Sequence, residues 1–203
     1  MVARPTRWRP DRPLWYALRV ADGTGVPKGR SIEVNRAPVL TLWAAVVAER
    51  LGFDRDEALS LGRAVAGLNA YAKGVRLGLF TASAPKKVAE QKKALRRGET
   101  LQIDLLGRAV PTTATPEGLR ALSKDQPVSP ESVARYLDGK FGEALPEVSA
   151  AMERLARSLP PERLAVEAFH LYERFRPEVP TGVKGWGVKG TLDTDRILAL
   201  ANE

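Results

Sequence analysis

Apolar residues recur along this chain at helical spacing far more often than at strand spacing. From Val39 to Leu51 they fill almost every position, preceded by Asn35 as a cap with Pro38 in the first turn and stopped by Gly52. A helix apolar on all faces is a buried one, so this segment is predicted to run through the centre of the fold. Asp54 opens the next helix, because Glu57 stands three residues on as a capping box requires. Ala58, Leu61, Val65, Leu68 and Ala72 then repeat every three or four residues. Gly62, Ala66 and Gly67 on this helix allow a neighbour to approach closely, and the stretch from Lys73 to Thr81, with Gly74 and Gly78, reads as irregular.

Ser83 and Pro85 start a third helix that reaches Arg97 and stops at Gly98. On a helical wheel Val88, Gln91 and Leu95 form its inner seam, and Lys86, Lys93 and Arg97 fall together on the opposite face, with Lys87, Lys92 and Arg96 beside them. Strand-like alternation then appears at Leu101, Ile103 and Leu105, and Gly107 separates this run from Ala109 to Thr113. That is a β-hairpin, with Pro111 confining the second strand to an edge. Thr115 and Pro116 read as the start of a short helix, and the polar break from Ser123 to Val128 as a domain boundary.

Beyond the break, Ser129 and Pro130 start a helix through Leu137. Leu145, Val148, Met152, Leu155 and Leu159 form one stripe, and after Pro160 and Pro161 a second runs through Leu164, Ala168, Leu171, Tyr172 and Phe175. Two such helices on a two-proline joint predict an antiparallel αα-hairpin with facing seams. A glycine-rich loop, Gly182 to Gly190, leads to a last helix from about Asp193. At the other end, residues 1–30 read as a basic arm, in which Arg4, Arg7, Arg9 and Arg12 alternate with prolines, followed by a short strand at Leu14 to Val20 and a loop.

The expected fold is therefore mainly α: a winged-helix-like part over 31–122, made of three helices and a β-hairpin, and a helical-hairpin part over 129–203. Length supports this, since 203 residues bury a full core without staples. Composition narrows the chemistry. With no cysteine, disulfides, thiolate metal sites and thiol nucleophiles are excluded, and a single histidine excludes any site needing two imidazoles. The longest apolar stretch is far too short for a membrane span, and the expected location is cytoplasmic.

Charge gives the functional direction. Residues 1–128 hold 22 Lys and Arg against 12 Asp and Glu, whereas residues 129–203 hold 10 against 12. A basic block joined to a slightly acidic one fits a polyanion-binding part attached to a packing or assembly part. In a winged helix the third helix enters the major groove and the hairpin touches the flanking backbone, which places Lys86, Lys87, Lys93, Arg96 and Arg97 on the duplex and Arg108 at the wing tip. In the glycine-rich loop Lys184, Trp186 and Lys189 could grip a phosphate or stack a base, although a loop tryptophan also serves to plug a core. The alternative helix-turn-helix placement, over Val39 to Ala72, puts Asp54, Asp56 and Glu57 where phosphates would lie, opposed only by Arg55 and Arg63.

Asp54 with Asp56, and Asp193 with Asp195, stand at predicted helix starts and are assigned to capping rather than to metal binding. His170 falls off its helix's apolar stripe and has no nucleophile in view. The expectation is thus a non-catalytic nucleic-acid-binding protein, acting on duplex DNA as a transcriptional regulator would, with no cofactor or metal and with a homodimer, if any, formed through the C-terminal helices. The competing expectation is a helical interaction module whose basic patch meets an acidic protein; an enzyme using converging carboxylates is the third.

Overall fold

The computed structural model describes residues 31–76, 101–183 and 187–203. The arm and strand of residues 1–30, the basic segment 85–97, and Lys184 and Trp186 lie outside them.

Helices dominate, joined by two small antiparallel sheets. Strand β1 (Ser31–Asn35) runs into helix α1 (Arg36–Arg50), and α2 (Arg55–Arg76) follows after a short turn. A meander comes next, β2 (Leu101–Leu105), β3 (Arg108–Thr115), β4 (Gly118–Ser123) and β5 (Gln126–Pro127), paired in that order. Then come α3 (Pro130–Phe141), a 3-10 turn, α4 (Leu145–Arg157) and α5 (Pro161–Phe175). Strand β6 (Lys189–Asp193) and α6 (Thr194–Leu200) finish the chain.

As its apolar run predicts, α1 is the central helix: every residue from Pro38 to Val47 and on to Ala48 is buried. Trp43 is fully enclosed, its ring edge-on to Phe175 at 5.3 Å and its Nε1–H donating to the Ala168 carbonyl at 2.7 Å. The capping box at α2 is formed, with Glu57 N–H donating to Asp54 Oδ1 and Asp54 N–H to Glu57 Oε2. Of Gly62 and Gly67, it is Gly62 that meets α1. A Cβ there would stand 2.4 Å from the Thr41 carbonyl oxygen and 2.9 Å from Ala45 N, while one at Gly67 would meet nothing within 4 Å.

Five expectations need correction. Helix α2 continues through Gly74 to Arg76 instead of ending near 72. A single interior glycine costs about 1 kcal/mol, which tertiary packing of a long amphipathic helix readily offsets. No helix starts at Thr115. Pro116 and Glu117 make the β3–β4 turn and Gly118, at φ +114, begins β4, so the Thr-Pro-x-Gly pattern is turn chemistry here and the hairpin is the first half of a four-stranded meander.

Strand β3 is not an edge, since β4 pairs with it from Thr112 to Thr115. Pro111 lies one residue outside that stretch, opposite Gln102. Counting from the two-residue turn puts this pair at a non-hydrogen-bonded position, so the missing N–H costs no bond to β2, and it faces β4 just where the pairing with that strand stops. Next, the loop expected to end at Gly190 gives way instead to β6, which pairs with β1 from Ser31↔Asp193 to Asn35↔Lys189. A Cβ on Gly190 would come within 2.6 Å of the Glu178 carbonyl oxygen, so glycine is required inside this strand, and it disguises the strand as a loop.

Last, α4 and α5 do not face each other as a hairpin. Each packs on α1, and both contact α6. Their stripes (Val148, Met152 and Leu155; Leu164, Ala168, Leu171 and Phe175) are buried all the same, because the fully apolar α1 offers a surface on every side. Buried residues from both sides of the Ser123–Val128 break belong to one cluster. No described helix is long and apolar enough to cross a membrane.

Candidate functional site

Two of the residues predicted from sequence to touch nucleic acid are described, and they stand on strands of different sheets. Lys189 is exposed at the start of β6, paired with Asn35 of β1. Arg108 follows the Leu106–Gly107 turn, whose residues have φ of 50° and 67°. This turn is packed inward, with Leu106 only 3% exposed. The Arg108 guanidinium donates to Asn69 Oδ1 of α2 at 3.2 Å and lies 5.9 Å from the centre of the Phe169 ring on α5. It is a half-buried clamp between hairpin and helices rather than a side chain free at a wing tip. Lys86, Lys87, Lys93, Arg96, Arg97, Lys184 and Trp186 lie outside the described residues.

The acid pairs do what helix starts ask of them. Asp54 completes its capping box, Asp193 Oδ1 accepts from Asp195 N–H at 2.9 Å, and Asp56 lies 3.8 Å from the buried Arg120. His170 is exposed on α5. Among the described residues no group of three His, Asp or Glu side chains is placed to hold a metal.

An open groove of about 350 Å³ does occur where α2, the β4–β5 turn and the start of α3 meet. Its shape follows from local sequence. Lys124 and Asp125, at φ 52° and 62°, turn the chain tightly between β4 and β5, and Val128 N–H then ties the exit strand to the Ala121 carbonyl. Ser129 caps α3 by accepting from Ser132 N–H at 3.1 Å. Arg63 from α2 reaches over the groove and lies 4.7 Å from the centre of the Tyr136 ring, one helix face against another. Lys140 approaches the same ring at 6.0 Å.

The remaining lining is neutral: hydroxyls of Ser123 and Ser132, the Gln126 amide, and an apolar side from Pro127, Val128 and Val133. Among the described residues no carboxylate lines it. Glu131, just outside, is held below the usual carboxylate range first by the Ser129 hydroxyl, which donates to it at 2.7 Å, and then by its own backbone N–H. The end of α3 is thus satisfied by its own side chains. Burial pushes the Tyr136 phenol above its ordinary value, with Arg63 opposing, so at neutral pH the ring keeps its proton. A guanidinium held against an aromatic ring is partly pre-ordered, and its remaining N–H groups can meet an oxyanion.

Sequence reasoning gives Arg63 only as a counter-charge to Asp54, Asp56 and Glu57, and does not single out Tyr136. No spacing rule joins residues 73 positions apart on different helices. Each lies on the polar side of its own apolar stripe, and that is the one trace the groove leaves in the sequence. Comparison with protein-family models, with curated proteins and with solved structures finds no match for this chain.

Proposed function

We propose that the protein is a non-catalytic nucleic-acid-binding protein that docks on duplex DNA through the basic part of residues 1–128, in a winged-helix-like manner with segment 85–97 as the docking helix. The observation that carries this reading is the division of charge. Residues 1–128 bear ten more basic than acidic side chains, and residues 129–203 two fewer. Of the ion pairs among the described residues, two lie in the first part, Arg55 with Glu49 and Arg120 with Asp56, and five in the second. Arg157, Arg163, Arg174, Arg176 and Arg196 in the second part are matched with Glu153, Glu167, Glu203, Glu173 and Glu178. Cations paired at home add little to a long-range field, so attraction for a polyanion falls to the first part.

The order helix, helix, basic segment, strand, turn, strand also supports the reading, with one change. Because Arg108 is clamped to Asn69 and Phe169, the hairpin serves as scaffold and the phosphates fall to Lys86, Lys93 and Arg97. Large apolar side chains exposed among the described residues are Tyr71 on α2, Val166 on α5 and Val183 in the loop before β6. An apolar docking face for a protein partner would need them together.

Fluorescence anisotropy on a labelled duplex at several salt concentrations tests the proposal. Replacing Lys86, Lys93 and Arg97 together by Glu is expected to weaken binding alike for unrelated sequences. The plot of log K against log salt should flatten by about 0.9 for each phosphate no longer neutralised. Equal affinity and slope for parent and triple variant would end the proposal.

A further inference from the structure

We propose that the Arg63–Tyr136 groove is a subsite for one sugar phosphate unit. Three features of the groove point to that chemistry. Its cation is exposed but steadied by a ring: the Arg63 guanidinium lies 4.7 Å from the centre of the Tyr136 ring, and no described lining residue is a carboxylate that would neutralise it. Arginine carries a fork of N–H donors, and those not engaged by the Tyr136 phenol can match the oxygens of a phosphate better than a point charge does. Around the cation stand neutral hydrogen-bonding groups, the Ser123 and Ser132 hydroxyls and the Gln126 amide, suited to the hydroxyls of a sugar. Pro127 and Val128 add an apolar part to the lining for its C–H side.

Size agrees. The groove is open to solvent, and its volume of about 350 Å³ leaves room for a sugar phosphate. The backbone amides of α3 play no part in the proposal, since Ser129 and Glu131 already engage that helix end. Such a unit comes from two sources, a free sugar phosphate or a residue of a nucleic-acid strand. The groove chemistry is the same for both, and it does not depend on segment 85–97.

Amide NMR shifts and titration calorimetry with ribose 5-phosphate, inorganic phosphate and a short single-stranded oligonucleotide, each against the full chain, make the test. Ribose 5-phosphate is expected to move the signals of Ser129 to Val133 and Tyr136. Arg63→Ala should weaken it about tenfold or more, the loss expected for a hydrogen bond to a charged group. Arg63→Lys should recover only part of that. Ser132→Ala and Gln126→Ala should weaken ribose 5-phosphate more than inorganic phosphate. Binding of the oligonucleotide alone, lost in Arg63→Ala and kept when Lys86, Lys93 and Arg97 are changed, would assign the subsite to a strand. Binding of the small molecule that survives the loss of duplex binding would assign it to a free ligand. Either result supports the groove, and unchanged melting of the variants excludes misfolding as the cause. If neither probe shifts these signals at millimolar concentration, or if Arg63→Ala binds like the parent, the proposal is wrong.

Discussion

Helix α1 with its companions, and helix α2 with its sheet, are attached in different ways. Around α1 the packing is apolar: Val39, Trp43 and Val47 share one core cluster with Met152, Leu155, Leu164 and Phe175, all at most 1% exposed. Between α2 and β4 the contacts are polar. Glu57 Oε1 accepts from Leu119 N–H at 3.0 Å, Ser60 Oγ accepts from Ala121 N–H at 3.1 Å, and Arg120 lies buried beside Asp56. Of the five buried polar or charged residues among those described, Ser60, Thr112 and Arg120 belong to this sheet side. The reason is geometric. Strand β5 covers only Leu122 and Ser123 of β4, so the N–H groups of Leu119 and Ala121 would be left on an open edge. Alternate residues of a strand send N–H to one side, and Glu57 and Ser60, one helical turn apart, meet them. The apolar region gains its stability by area; the polar one avoids a loss by pairing.

The strongest attack on the apolar region is Trp43→Ala. It removes a large enclosed ring, its edge contact with Phe175 and the donor to the Ala168 carbonyl. The expected loss is about 3–5 kcal/mol, a large part of a domain's total stability. Urea unfolding should show a lower midpoint for every helix signal together. A loss under about 1 kcal/mol would mean that α1 is not the centre on which the other helices depend.

Tyr172 sharpens the same comparison through pH. Its hydroxyl donates to the Arg36 carbonyl at 3.3 Å, and burial pushes the phenol up to about 12, partly offset by Arg36 and Arg176. A group whose pKa is raised on folding contributes fully below its unfolded value, about 10, and the contribution is lost as pH rises toward 12. About 2–3 kcal/mol should therefore disappear across that window. Tyr172→Phe should lack this alkaline loss while matching the other titrations of the parent. Identical alkaline profiles for the two proteins would show that the ring is more exposed to water than the packing indicates.

The same contrast governs what can be read from the sequence. Helix α1, the capping box of α2 and the Ser129 cap of α3 are legible because each is written within a few consecutive residues. So are the apolar stripes of α4 and α5, although their partner is not: a stripe states that a face is buried and not what buries it. The β1–β6 pair joins residues about 160 positions apart, and its Gly190 is present for the Glu178 backbone, a neighbour the local pattern does not reveal. Thr115-Pro116 fits a helix start and a turn equally well until Gly118 is seen at positive φ. The groove is the least legible, because Arg63 and Tyr136 are brought together only by the packing of α2 on α3.

The smallest and most discriminating effect is expected at the polar seam. Ser60 is fully enclosed, and its hydroxyl accepts from Ala121 N–H while donating to the Glu57 carbonyl. In Ser60→Ala the small side chain still fits, so packing is almost unchanged and the Ala121 N–H is left buried without a partner. Such an orphan costs about 1–3 kcal/mol. Because the damage lies where β4 meets α2, the opening it promotes should be local, with the sheet lifting before the helices separate. Hydrogen exchange is expected to accelerate at Leu119 and Ala121 by more than at Trp43 or Ala168, whereas Trp43→Ala should accelerate all four. Equal acceleration at the four amides in Ser60→Ala would show that the two regions unfold as one cooperative unit, and that the difference in chemistry between them does not separate their stabilities.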